Sequence, residues 1–217
     1  MSDSEGSDDQ IKDLLEIKHE IQKFKNDPAT SANPIDHALW AAENGKTSTL
    51  KQLMSSQPSL LHVQDSDGYT MLHRAAYENH IEALCYLLSV GADVGMKTEL
   101  GWTPLHSACK WNNYQAVARL LAAGADPRAV SDGALTPMHL ASSISHCKST
   151  LLILLLREDT TDIAKMCNKS GETPEQLAQR NGIYAPLFEM ICPAASYIRG
   201  LAFTCNPYVR ETIGVLN

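Results

Sequence analysis

The chain of 217 residues carries a formal net charge of -7, with 44% hydrophobic and 20% charged residues. That balance is ordinary for a soluble globular chain, and the acidic excess speaks against a broad electrostatic grip on nucleic acid or anionic lipid, which needs clustered Lys and Arg. The longest strongly apolar run, Leu151 to Leu156, is too short to cross a bilayer, and the opening Met-Ser-Asp-Ser-Glu has neither the basic start nor the apolar stretch of a secretory signal.

Residues 1–10 are acidic, small and polar, a composition that predicts disorder. Ile11, Leu14, Leu15, Lys18, Ile21 and Phe24 fall near helical spacing, so 11–25 reads as an amphipathic helix, followed by a linker up to Pro34. Such a helix either caps the domain that follows or serves a partner.

From residue 35 to about residue 190 the sequence repeats. Asp67-Gly-Tyr-Thr-Met-Leu-His-Arg-Ala-Ala76, Leu100-Gly-Trp-Thr-Pro-Leu-His-Ser-Ala-Cys109 and Ala134-Leu-Thr-Pro-Met-His-Leu-Ala141 align at a period of 33 residues, as do Gly91-Ala-Asp93 and Gly124-Ala-Asp126. Each recurring residue has a physical use. Thr70, Thr103 and Thr136 are N-caps, and Pro104 and Pro137 follow at the first helical position, where a missing N–H costs nothing. Gly91 and Gly124 end helices in the left-handed region, and Gly68, Gly101 and Gly133 mark tight turns between repeats. Upstream, Ala38-Leu-Trp-Ala-Ala42 and Thr49 to Met54 supply an atypical first repeat. Downstream, Thr173-Pro-Glu-Gln-Leu-Ala178 restarts the pattern with a more polar face, after an insertion at Ser142 to Lys148. The expected core includes Leu72, Leu84, Leu88, Leu105, Leu120, Leu152 and Leu155. Residues 191–217 fit no repeat and form a tail that folds back on the last repeat or docks elsewhere.

These two sub-motifs, recurring in phase, resemble the ankyrin repeat. The resemblance implies an all-α ankyrin-repeat solenoid of about five helix-turn-helix repeats with atypical terminal caps, whose turn tips and inner helices form a concave face for a protein partner. Gly101-Trp-Thr-Pro-Leu-His-Ser-Ala-Cys-Lys-Trp-Asn-Asn113, Leu39-Trp-Ala-Ala-Glu43, Tyr69-Thr-Met-Leu-His-Arg-Ala-Ala-Tyr77 and Ile183-Tyr-Ala-Pro-Leu-Phe-Glu189 are more specific. Over about residues 36–190 they are similar to the family of ankyrin repeat domain-containing protein 49. That likeness implies a small adaptor of nucleus and cytoplasm with a gene-regulatory role and no catalytic activity.

The residues not committed to packing follow each turn Gly and each Ala-Ala pair. They are Tyr69, Tyr77 and Glu78 in one repeat and Trp102, Lys110 and Trp111 in the next, flanked by Glu43, Asn44, Leu135, Ser143 and Ile144. Four aromatics in two adjacent repeats stand out where the whole chain is 6% aromatic, and Trp and Tyr dominate interface hot spots. Some of these rings, Trp102 first among them, could instead pack over a neighbouring turn. The position two residues after Gly-Ala-Asp, which resembles the Asn used by asparaginyl hydroxylases in other ankyrin repeats, holds Gly95 and Arg128, so these turns are not expected to be such substrates.

Other chemistry finds little support. Stacked helices lie ~8–10 Å apart, too far for His73, His106 and His139 to share an ion, so these rings are expected to bond turn backbone and the motif Thr. His146 and Cys147 have no second ligand pair, and Asp65 and Asp67 sit at a turn. The six cysteines are irregularly spaced and read as reduced thiols. No nucleotide-binding loop or nucleophile motif is present, so neither enzyme activity nor a cofactor is expected. Arg74, Lys110 and Arg119 are the basic residues nearest one surface, and acidic residues surround them. The expected partner is another protein, bound by a monomer in nucleus or cytoplasm.

Overall fold

The computed structural model describes residues 33–157, 162–182 and 184–191. The predicted head, the 11–25 helix and the 192–217 tail lie outside these residues. Within them the chain runs as helix pairs: α1 (Pro34–Glu43) with α2 (Thr47–Ser56), α3 (Met71–Tyr77) with α4 (Ile81–Ser89), α5 (Pro104–Lys110) with α6 (Tyr114–Ala122), and α7 (Pro137–Ser142) with α8 (Lys148–Leu155). Then come α9 (Pro174–Asn181) and a final helical stretch at 186–191. The first helix of each pair stacks on the first helix of the next to form an inner layer, and the second helices form an outer layer.

None of these helices exceeds ten residues, well short of the ~12–15 at which an isolated helix becomes marginal in water. Their stability comes from stacking. Ala41, Ala42, Ala75, Ala76, Ala108, Cys109 and Ala141 are all fully buried in the inner layer, and small side chains allow close approach. The outer layer buries Leu50, Leu84, Leu87, Val117, Leu120 and Leu151 instead. These bulkier residues space the outer helices more widely, so the slab bends with its inner helices on the concave side. The buried apolar residues join into one run from α1 to Phe188.

Every predicted N-cap is in place. Thr70, Thr103 and Thr136 have extended backbone and open α3, α5 and α7. In each case the Thr backbone N–H donates to Nδ1 of the His three residues on, at 3.2, 3.1 and 3.1 Å. Nδ1 therefore carries no proton, and Nε2 carries it. From Nε2 each ring donates into the next repeat: His73 to the Trp102 carbonyl at 2.9 Å, His106 to Leu135 at 3.0 Å, His139 to Glu172 at 3.2 Å. The three histidines thus bond the motif Thr and turn backbone as expected. In α9 the capping box is made by Thr173 and Gln176 instead. Gln176 accepts from the Thr173 N–H at 2.8 Å, closing the helix start without a ring to reach onward.

The loops between repeats form four stacked fingers, each closed by a pair of backbone hydrogen bonds, at 65–69, 98–102, 131–135 and 168–172. Each finger is tied to the one before it: Glu99 N–H donates to the Asp67 carbonyl at 3.0 Å, Asp132 N–H to Leu100 at 3.1 Å, and Lys169 N–H to Gly133 at 3.0 Å. Gly68, Gly101 and Gly171 take the left-handed position, with φ of 81°, 74° and 76°. In the third finger that position belongs to Ala134, at φ 53°, and not to Gly133 as the sequence suggested. Counting back from Thr136 shows why: the glycine has slipped one residue and left an L-residue where the turn needs none.

Two expected core positions are only half-buried. Leu88 lies at the edge of the core, and Leu152 is replaced inside by Leu151 and Leu154. The insertion sets the frame of α8, which starts at Lys148 and turns residues 151, 154 and 155 inward. The same insertion is anchored by Asn112, whose Nδ2 donates to the His146 carbonyl at 2.6 Å and whose Oδ1 accepts from Thr150 at 2.8 Å. In the first repeat a 3₁₀ turn, Pro58–His62, stands where the Gly-Ala-Asp turn would be and buries Leu60. Among the described residues Cys85, Cys109, Cys147 and Cys167 are free thiols.

Burial, outweighing the carbonyl each ring bonds, pulls His73 and His106 from 6.5 down to about 4, and His139 is lowered for the same reason. Between about 4 and 6.5 the unfolded chain therefore binds more protons than the fold, so stability is complete above pH 6.5 and falls as pH drops toward 4. The slope is at most about 1.4 kcal/mol per pH unit for each ring. Urea unfolding midpoints at pH 7, 6 and 5 will show this loss, and His106→Gln, which keeps the cap, will make it shallower; an unchanged slope would refute the assignment. In the third finger, Ala134→Gly is expected to add about 1 kcal/mol by relieving the left-handed L-residue. Gly68→Ala is expected to destabilise, because its Cβ would meet Thr98 Cα and Glu99 N at 2.9 Å.

Candidate partner-binding surface

The inner helices end on residues that the core does not use, and the structure divides the predicted set into two clusters. The first is built on Tyr69 at the base of the first finger. Its N–H donates to Asp65 Oδ1 at 2.8 Å, and its ring meets His73 edge-on at 5.7 Å. The Arg74 guanidinium lies 4.9 Å from the centre of that ring. Arg74 also bonds Asp65 at 2.6 Å and approaches Glu43 at 3.8 Å. Burial raises the Asp65 carboxyl, but the Arg74 hydrogen bond and charge and the backbone N–H groups of Tyr69 and Asp67 outweigh it and hold the group below its ordinary value.

The second cluster joins Tyr77 and Trp111. Their ring centres are 4.9 Å apart at 60°, edge to face. Tyr77 is half-buried at the end of α3, whereas Trp111, the C-cap of α5, is 51% exposed. Asn113 sets the spacing: its side chain donates to the carbonyls of Ala76 at 2.9 Å and Tyr77 at 2.6 Å, so the turn after α5 is bolted to the end of α3. Glu78 is the C-cap of α3, with its N–H on the Arg74 carbonyl. Burial, and after it the charge of Glu78, Tyr69 and Glu43, raises the Tyr77 hydroxyl above its ordinary value, against a smaller opposing effect of Arg74.

The other predicted residues are placed differently. Trp102 is half-buried and its backbone is committed, accepting from His73 and donating to Thr98 Oγ1 at 3.1 Å. Lys110 reaches Ser143 Oγ at 3.4 Å in the next repeat. Asn44 folds back to the Trp40 carbonyl at 2.9 Å, the Leu135 carbonyl accepts from His106, Ser143 donates to the Leu140 carbonyl at 2.7 Å, and Ile144 rests on the core. Arg119 belongs to the outer helix α6, so Arg74, Lys110 and Arg119 form no basic track. The sequence reading missed Arg74 as the residue that gathers Tyr69, Asp65 and Glu43, and it missed Tyr114, 45% exposed three residues after Trp111. On the outer side, Met54, Pro58, Leu61, Tyr86 and Val90 line a cavity of about 260 Å³ that shares no residue with this surface. Among the described residues no group of His, Cys, Asp or Glu is arranged to hold a metal ion, and no helix is long and apolar enough to cross a membrane.

A family model described as ankyrin repeats (3 copies) matches residues 4–98 and 38–131. The chain is 46% identical over 189 residues to ankyrin repeat domain-containing protein 49 of Bos taurus, covering 87% of this chain and 75% of that protein. The figures for the protein of the same name in Homo sapiens are the same. In Drosophila melanogaster the protein of that name is 46% identical over 169 residues, covering 78% of this chain and 76% of its own length.

If Tyr77 and Trp111 are a packed pair, a double-mutant cycle will show it. Tyr77→Ala and Trp111→Ala should be coupled by about 0.5–1.5 kcal/mol in urea unfolding, and strictly additive losses would mean that the rings merely lie side by side.

Proposed function

Because the chain belongs to the ankyrin-repeat family, and within it to the family of ankyrin repeat domain-containing protein 49, we propose that it is an adaptor that holds another protein against its inner surface. Ankyrin repeats are protein–protein interaction modules and not enzymes. The observation that carries the reading here is the Tyr77–Trp111 pair. Two large rings are held at fixed spacing by Asn113, half in contact with each other and half open. Rings of this kind bury much area at little entropic cost. The net charge of -7 and the scatter of Arg74, Lys110 and Arg119 favour a protein partner over nucleic acid. We place the adaptor in nucleus and cytoplasm, acting on gene regulation through the protein it holds, as a monomer.

The test is proximity labelling in cells, then capture by the purified full chain and by its Tyr77→Ala/Trp111→Ala form. The double variant is expected to keep its helical circular dichroism and to lose its partner at least about tenfold, as removal of a hot-spot pair does. Capture at wild-type strength by the folded double variant would refute the reading.

A further inference from the structure

The surface around the two rings is acidic. The sole cation near Tyr69, Arg74, sits between two carboxylates, Asp65 at 2.6 Å and Glu43 at 3.8 Å, so negative charge remains when the three are taken together. Lys110 leans on Ser143 of the following repeat. Glu78 adjoins Tyr77, and its charge and that of Glu43 both reach the Tyr77 hydroxyl. Exposed Asp67, Glu99 and Asp132 add a carboxylate at the tip of each of the first three fingers. The fingers are held in step by their Glu99 to Asp67 and Asp132 to Leu100 backbone bonds. Next to this charge stands Trp111, 51% exposed, with Tyr77 against it from the neighbouring repeat. An indole face attracts a cation, and a guanidinium best combines flat stacking with charge.

We propose that the segment this surface takes is a basic one, with an arginine laid on the open side of Trp111 close to Glu78 and Glu43, and further Arg or Lys answered by the finger carboxylates. This rests on the inner-surface reading above and names the chemistry of the partner. A segment of acidic or purely apolar character would have to bring its charge, or bare surface, up to uncompensated carboxylates.

The full chain is titrated by fluorescence anisotropy against three labelled peptides, in which Ser alternates with Arg, Lys or Glu. The Arg peptide is expected to bind most tightly, the Lys peptide more weakly, and the Glu peptide not at all, with binding that weakens as salt rises. Trp111→Ala, and Glu43→Gln with Glu78→Gln, should each weaken the Arg peptide by roughly fivefold or more. Glu43→Gln leaves Arg74 on Asp65, so the fold is retained. Glu82→Gln, on the exposed outer side of α4, should change nothing. If Glu82→Gln weakens binding as much as the inner-surface changes do, or if those changes leave it untouched, the attraction is diffuse and the inference is overturned. Cellular capture separates the two ideas. Loss of the partner in Tyr77→Ala/Trp111→Ala but not in Glu43→Gln/Glu78→Gln overturns the basic partner and leaves the inner surface standing. Loss in both supports the inference, and loss in neither sinks both.

Discussion

Everything in this fold depends on one repeated bond: a neutral imidazole that accepts from its own helix start and donates to the finger of the next repeat. The helices are too short to persist alone, and their faces of Ala and Cys are too small to lock a register by shape. The ring of His73, His106 or His139 supplies what stacking lacks, a directional link across 29 or 33 residues of sequence. Because Nδ1 is occupied as an acceptor, the link exists in one protonation state only. Burial enforces that state, and the fingers, tied to one another through their backbones, extend the same register outward.

That arrangement frees the inner surface. Packing and capping are carried by residues inside the slab, so the positions at the ends of α3 and α5 are under no structural obligation. A solenoid of this kind is governed by nearest neighbours, and the two-repeat span of the Tyr77–Trp111 contact is the smallest unit on which a binding surface can be built without long-range order. Arg74 shows the complementary case. It lies in the inner layer but is drawn into Asp65, Glu43 and the Tyr69 ring, and so becomes part of the frame.

The period of 33 residues made the fold readable, because Thr, Pro, His and Gly each have a use that depends on local geometry alone. Thr103 must cap, Pro104 must sit at the first turn, and His106 is at the spacing from which a side chain can return to the cap. Where geometry depends on context, the sequence was less informative. Nothing in Gly133-Ala134 says which residue will be left-handed; the register comes from Thr136 behind it. Leu151 to Leu156 offers apolar residues on every side, so which of them faces inward is decided by the insertion that starts α8. The choice of Tyr77 and Trp111 as unspent residues was legible from the motif. Their contact was not, since it rests on Asn113, an amide whose partners lie 36 and 37 residues away. Trp102 looked equally free, yet its backbone serves His73.

The bonding of Asn113 also bears on how such a surface can hold a partner. Ordering a mobile side chain on binding costs roughly 0.5–1.5 kcal/mol each, and a surface assembled from loops bears that cost many times over. Here the helix that ends in Tyr77 and the turn that carries Trp111 are joined by two hydrogen bonds before any partner arrives. The rings abut, so neither has much rotamer freedom left to lose. A partner that bridges α3 and α5 would therefore stabilise directly the two repeats it touches. Through His73 and His106, whose acceptors lie in the fingers of the next repeats, that gain is passed to the neighbouring pairs without any change of shape.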